Sequence, residues 1–186
     1  MDRGEREENV LIIGDSILRH CYPPRGVYRR SFSGATIVYL LERLASPNSE
    51  IDLRRYELII IHVGSNDIDN GSINYFLADY KMLINHIRNA NPICKIIISA
   101  VIPRPRALWK TTQDTVRANQ LLKRYAARKG YLHFHTTYTS FMRHRRPIHR
   151  YYDNGGLHLN EDGSEILTRV LINLIRLWEQ GRLSFW

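Results

Sequence analysis

The strongest constraint on this chain is a recurring unit, a short apolar run stopped by glycine and followed by a stretch with helical spacing. Val10-Leu11-Ile12-Ile13 stops at Gly14, and residues 58–63 stop at Gly64. Runs this short and this uniformly apolar read as strands buried on both faces, as in a parallel sheet. A weaker strand spans 28–32 and carries Arg29 and Arg30. Another spans 95–102 and is stopped by Pro103-Arg104-Pro105, and a last one covers 132–135. Between them, Ile37, Leu40, Leu41 and Leu44 mark one helical face within 36–44. Phe76, Tyr80, Leu83, Ile84 and Ile87 mark another within 75–87. Residues 115–129 read as a helix with Gly130 as its C-cap. The last helix, 161–180, carries the stripe Leu167, Val170, Leu171, Leu174, Ile175 and Trp178. Strand alternating with helix predicts an α/β fold, a parallel sheet covered on both faces. The length of 186 residues suits a single domain over 1–186, with the charged residues 1–8 expected to be disordered. Residues 136–156 read as a long irregular segment, a length typical of functional loops.

Charge adds a second constraint. The chain carries 27 Lys and Arg against 18 Asp and Glu, a net charge of +9, and all but five of the basic residues are arginine. Such an excess suggests a polyanion nearby, nucleic acid or an anionic membrane surface, or else a basic protein with no such partner. The densest run is Arg143-His144-Arg145-Arg146-Pro147-Ile148-His149-Arg150, followed by Tyr151-Tyr152. Arg104 and Arg106, with Trp109 and Lys110, are expected to flank the same rim. The rim suits phospholipid headgroups or RNA phosphates; its plainer reading is a solvated loop. No apolar run approaches the roughly 20 residues that span a bilayer, and the N-terminus lacks the apolar region of a signal peptide. Cys21 and Cys94 read as reduced thiols, so an intracellular, cytoplasmic setting is expected. His133, His135, His144 and His149 have no cysteine or acidic cluster at ligand spacing, and no metal is expected. His62, inside a buried strand, reads as a hydrogen-bonded core residue.

The polar residues at the strand ends make sense together. The first strand ends in Gly14-Asp15-Ser16, the second in Ser33-Gly34-Ala35 and the third in Gly64-Ser65-Asn66-Asp67. A histidine, His158, stands just before the last helix. Ligands of open α/β sheets bind at the carboxyl ends of strands, and these residue types suit acyl transfer. A serine hydroxyl becomes nucleophilic when a neutral imidazole takes its proton. The oxyanion that follows needs preorganised donors. The Ser16 N–H, the Gly34 N–H and the Asn66 amide are candidates. Taken singly, Gly-Asp-Ser reads as a turn and N-cap, Gly34 as a turn and Asn66-Asp67 as a loop capping a helix.

In conjunction, Leu11-Ile12-Ile13-Gly14-Asp15-Ser16-Ile17, Gly34, Gly64-Ser65-Asn66-Asp67 and His158 resemble the SGNH (GDSL-type) hydrolase superfamily. All four blocks occur in order across nearly the whole chain. The resemblance implies a three-layer α/β/α sandwich with a flavodoxin-like parallel sheet of about five strands. It implies Ser16 as nucleophile, the Ser16 N–H, Gly34 and Asn66 as oxyanion hole, and His158 as general base, with no metal or organic cofactor. Asp15 and Asp67 look like structural acids holding the loops. One position departs from the family, which usually carries an aspartate three residues before the histidine. Here that place is Gly155, and the nearest acid is Asp153. Either the Gly155-Gly156 pair lets Asp153 fold back to His158 and complete a triad, or a backbone carbonyl orients the ring and the site is a dyad. Loss of an orienting acid can cost about 10⁴ in rate.

Within the superfamily, the arginine-rich chain is similar to esterase domains encoded by non-LTR retrotransposons, on Gly14-Asp15-Ser16-Ile17-Leu18-Arg19 and Leu157-His158-Leu159-Asn160. It is also similar to the intracellular platelet-activating-factor acetylhydrolase type. These likenesses imply a serine esterase acting on short acyl esters, lipid-derived acetyl esters among them. For the retrotransposon type they imply a domain of a larger polyprotein that packages RNA, with its basic face near membrane or RNA. The alternative is a weak or inactive module of the same fold, binding RNA or anionic lipid through Arg143, Arg145, Arg146, Arg150, Arg104 and Arg106.

Overall fold

Every expected apolar run forms a strand. In the computed structural model, β1 (Val10–Gly14), β2 (Val27–Ser31), β3 (Leu58–His62), β4 (Lys95–Ser99) and β5 (Leu132–His135) pair in parallel in the order β2-β1-β3-β4-β5. The structure describes residues 9–71, 73–106 and 109–185, without the side chains of Trp109 and Lys110. The expectation of disorder at 1–8 lies outside the described residues. β1 and β3 are buried at every position, whereas the edge strand β2 is half-buried throughout and so tolerates Arg29 and Arg30.

Alternation along the strands sends successive side chains to opposite faces. Leu11, Ile13, Ile59, Ile61, Ile96 and Ile98 face one core. There they meet α1 (Ile37–Ala45), α3 (Phe76–Ala90) and α4 (Trp109–Ala126). Val10, Ile12, Leu58, Ile60 and Ile97 face the other, where Leu167, Leu171, Leu174 and Ile175 of α5 (Glu161–Glu179) cover them. The result is the three-layer sandwich, and the strand order is the flavodoxin-like one. Among the described residues, no helix is long and apolar enough to cross a membrane.

Three sequence expectations need correction. α4 runs from Trp109 to Ala126, not 115 to 129, because its first turns bury Thr112 and Thr115, which carry no apolar signal. Gly130 does not take the left-handed conformation of a C-cap glycine. β4 leaves the ladder after Ser99, since the Val101 amide and carbonyl bond the Asn119 side chain of α4, both at 2.9 Å. The segment 136–156 is ordered into 3-10 turns at Thr137–Phe141 and His149–Tyr151, with a two-residue hairpin of β6 (Met142–Arg143) and β7 (Arg146–Pro147) between them. These elements are too short to leave a periodic signal. So is α2 (Ser65–Asp69), which follows β3 directly.

Candidate active site

In a sheet of this order, the crevice lies outside the carboxyl ends of the strands where the connections diverge, here β1 and β3. Ser16 follows β1 and Asn66 follows β3, so both stand at that point. A Cβ on Gly14 would sit 1.8 Å from the His62 carbonyl oxygen, an oxygen that also accepts the Asp15 N–H at 3.1 Å. Only glycine allows the two strands to close this tightly before the chain turns. Asp15 then caps the 3-10 turn Ser16–His20, accepting the Ile17 N–H at 2.9 Å.

The far end of that turn is held by Arg29 of β2, which donates to the Leu18 and Arg19 carbonyls at 2.7 and 2.6 Å. Arg19 in turn donates to Ser33 Oγ at 3.1 Å, tying the Ser16 turn to the Gly34 loop. Ser16 itself is 6% exposed. Asp15 is fully buried, and its Oδ2 has no partner among the described residues. Burial pushes its pKa up to about 6, against the pull of the Ile17 amide and of Arg104.

Gly34 sits at φ +70°, in the left-handed region. Its neighbour Ala35 accepts the Asn66 Nδ2–H at 2.8 Å, which joins the loop after β2 to the loop after β3. Asp67 reaches the same place. Its two oxygens accept the Ile37 N–H at 3.1 and 3.2 Å and so hold the start of α1. Burial raises the Asp67 pKa to about 6 as well.

Arg104 does not lie on the exposed rim where the sequence placed it. It is 4% exposed, forms an ion pair with Asp69 and donates to Asn66 Oδ1 at 3.3 Å. The reason lies in a distant segment: the Tyr152 hydroxyl donates to the Pro103 carbonyl at 2.7 Å, so this stretch is covered by chain from 49 positions further on. Arg104 thereby fixes the Asn66 amide from one side while Ala35 fixes it from the other. Arg106 is exposed.

The histidine arrives on a small closed loop. Tyr152 and Leu159 form an antiparallel bridge, and the Asp153 N–H donates to the His158 carbonyl at 2.9 Å. Asp153 Oδ1 accepts the amides of Leu157 at 3.0 Å and His158 at 3.4 Å, while Oδ2 stands 3.5 Å from His158 Nδ1. Desolvation works against the Asp153 charge, but these amides and the imidazole outweigh it and hold the carboxyl below its ordinary value. The two side chains remain 42% and 41% exposed. Ser16, Asp153 and His158 line one cleft of about 250 Å³, together with Ile17, Arg19, His20 and Leu159. Its lining does not include Gly34 or Asn66.

His62 is a buried, hydrogen-bonded core residue. Its Nδ1 lies 2.9 Å from Ser99 Oγ, which contacts Thr137 Oγ1 at 2.8 Å, and burial pushes its pKa down to about 4. His133 and His135 bond the Ser184 carbonyl and the Thr137 hydroxyl. Among the described residues, no group of three His, Cys, Asp or Glu could hold a metal ion. In the hairpin, Arg143, His144, Arg145 and Arg146 are exposed, with His144 at φ 49° and Arg145 at φ 64°.

Residues 12–166 match the family of GDSL-like lipases and acylhydrolases. The chain belongs to that GDSL-like family. Family membership makes it a carboxylic ester hydrolase. No curated protein matches the sequence. Among solved structures, a protein from Streptococcus pneumonia assigned as a platelet activating factor superposes with a TM-score of 0.78 at 21% identity, over 93% of this chain and 86% of that one. The lipase/acylhydrolase from Enterococcus faecalis gives 0.68 at 17% identity, over 96% and 98%. The esterase domain of the ORF1 protein from the zebrafish ZfL2-1 retrotransposon is 26% identical over 90% and 98%, with a TM-score of 0.49. The likenesses to the first two show the GDSL fold.

Two anchors of the candidate site escaped the sequence reading, Arg29 under the Ser16 turn and the buried role of Arg104. Arg29 had no sequence signal, because its partners come from strand register. Arg104 had one, since prolines on both sides hold it in extended chain beyond a strand end.

Proposed function

We propose that the chain is a serine esterase hydrolysing short acyl esters, lipid-derived acetyl esters among them. Ser16 Oγ attacks the ester carbonyl as His158 takes its proton. The carbonyl oxygen becomes negative and is met by the Ser16 N–H, the Gly34 N–H and the Asn66 amide. The bond to the alcohol breaks as His158 returns the proton to the leaving oxygen. Water, activated by the same imidazole, then releases the acid and regenerates Ser16. Asp153 orients His158, while Asp15 and Asp67 hold the loops. The observation that carries this reading is the shared cleft of Ser16, Asp153 and His158, with the Asp153 carboxylate turned to Nδ1 of the imidazole. A fluorophosphonate probe tests it: labelling at Ser16 that disappears in Ser16→Ala is expected, and no labelling of the folded wild-type protein overturns it. A single domain over 1–186 and an intracellular, cytoplasmic setting belong to the same proposal. Cys21 and Cys94, both buried and unbridged, support that setting.

A second reading is favoured by the hairpin. Two non-glycine residues at its tip hold left-handed backbone, and Arg143 opposes Arg146 across the strands. Each feature costs stability, on the order of 1 kcal/mol. Among the described residues, neither these arginines nor Arg145 forms an ion pair. In this reading the fold is a weak or inactive module, and Arg143, Arg145, Arg146 and Arg150, with Arg106, contact the phosphates of anionic lipid or RNA. Titration of RNA and of anionic vesicles at two salt concentrations tests it. Binding that weakens steeply with salt is expected, and absence of binding at low salt overturns it.

A further inference from the structure

A side-chain amide offers one carbonyl oxygen and two N–H groups, and its role depends on which of them are already taken. In Asn66 two of the three are. One Nδ2–H donates to the Ala35 carbonyl at 2.8 Å, and Oδ1 accepts from both terminal nitrogens of Arg104, at 3.3 and 3.4 Å. One N–H is left over. The same contacts fix which end of the amide lies where. Turned by half a rotation, it would set its oxygen against the Ala35 carbonyl and its N–H groups against a guanidinium that has only donors. The free group is therefore an N–H, which meets an oxyanion, and not a carbonyl, which repels one.

As a stabilising ion pair alone, Arg104 is poorly placed. Its side chain is buried, and its Nε has no hydrogen-bond partner among the described residues. A buried cation gives up solvation that one ion pair repays poorly. The paired carboxylate, Asp69, keeps a third of its side chain exposed and needs no buried cation to satisfy it. What Arg104 supplies, and a lysine does not, is a planar fork whose two nitrogens meet one amide oxygen.

The fork is held from the other half of the site. The Tyr152 hydroxyl bonds the Pro103 carbonyl, and the Arg106 N–H donates to the Gly156 carbonyl at 3.3 Å. Gly156 sits at φ +63°, and a Cβ there would stand 3.0 Å from the Arg106 nitrogen, so glycine permits the approach. Tyr152 and Gly156 flank Asp153 in the loop that carries His158. We infer that Arg104 is a positioning residue for the oxyanion donor: it acts on the reaction through Asn66 alone, by turning the free N–H of that amide toward the ester oxygen. Residues 103–106 then tie this donor to the loop that delivers the general base. The inference rests on the esterase reading above, in which Asn66 is such a donor.

Arg104→Lys tests it, because it keeps a charge beside Asp69 and removes the fork. With p-nitrophenyl acetate, kcat is expected to fall about tenfold while KM stays near the wild-type value, a part of the roughly 10² to 10³ that a whole oxyanion donor supplies. In an Asn66→Ala background the same substitution is expected to cost nothing further, since the amide through which it acts is gone. An unchanged kcat in Arg104→Lys overturns the inference. So does a loss of equal size in both backgrounds, which marks a role in the fold alone. Thermal unfolding checks each variant, and if Arg104→Lys does not fold, the apolar Arg104→Met carries the same cycle. NMR gives a readout independent of turnover: the Asn66 side-chain amide, assigned by its absence in Asn66→Ala, is expected to shift in Arg104→Lys, and an unmoved resonance overturns the inference. If Asn66→Ala lowers kcat and Arg104→Lys does not, only the role of Arg104 fails. If no ester is hydrolysed and no probe labels Ser16, the esterase reading fails and the positioning role falls with it.

Discussion

The two halves of the candidate site are built by opposite means. On the serine side, Asp15, Ser16 and Asp67 are buried, and Asn66, the proposed donor, is held between Ala35 and Arg104, while Asp67 beside it holds the start of α1. On the histidine side, Asp153 and His158 are each about two-fifths exposed and depend on hydrogen bonds inside one short loop. A preorganised dipole acts strongly where water is excluded, whereas an exposed pair is screened and weak. The serine side should therefore couple catalysis to folding, and the histidine side should be tunable without cost to the fold.

That contrast can be broken in four ways. Ser16→Ala should abolish p-nitrophenyl acetate turnover, a loss of about 10⁶ in kcat by analogy with other serine hydrolases. The unfolding midpoint should stay close to the wild type, and retained turnover would sink the assignment of the nucleophile.

Asn66→Ala should lower kcat by about 10² to 10³, as for a lost oxyanion donor. A change confined to KM would show that Asn66 only binds substrate.

The third test uses stability against pH. His62 holds a folded pKa of about 4, below its ordinary 6.5. It therefore contributes stability that is present above pH 6.5 and lost as the pH falls toward 4, about 3 kcal/mol in all. Asp15 and Asp67, raised to about 6 from 3.8, act in the opposite direction, since their ionisation between pH 4 and 6 costs stability. His62→Gln should remove the first contribution and leave the second. Relative to the wild type, the variant should then gain stability on acidification from pH 7 to 4.5, measured by urea unfolding. Identical pH slopes for both proteins would rule out a buried neutral His62.

Asp153→Ala should have the smallest effect, about tenfold in kcat, because an exposed pair contributes on the order of 1 kcal/mol. A loss near 10⁴ would mean that Asp153 acts like a buried triad acid, and the contrast between the two sides would vanish.

Much of this was legible before any coordinates. The glycine-stopped runs around Leu11 and Ile60 announced buried parallel strands, because only a strand covered on both faces can be apolar at every position. The blocks at Gly14-Asp15-Ser16, Gly34, Gly64-Ser65-Asn66-Asp67 and His158 pointed to one sheet edge. The residues misjudged were those whose surroundings are not local. Arg104 looked like one more surface arginine, yet it is buried against Asp69, which lies 35 positions earlier in the chain. The start of α4 was hidden because its buried face there is made of threonines.

By itself, the sequence determined the fold class and family and the order in which the site residues reach the sheet edge. These follow from period and local backbone preference, which short segments carry on their own. Only the tertiary structure decided that Asn66 is clamped by Arg104 and that Asp153 folds back toward His158. Those outcomes depend on which distant segments share a buried space. Burial sets the strength of each charge and hydrogen bond, and no local stretch of sequence carries that information.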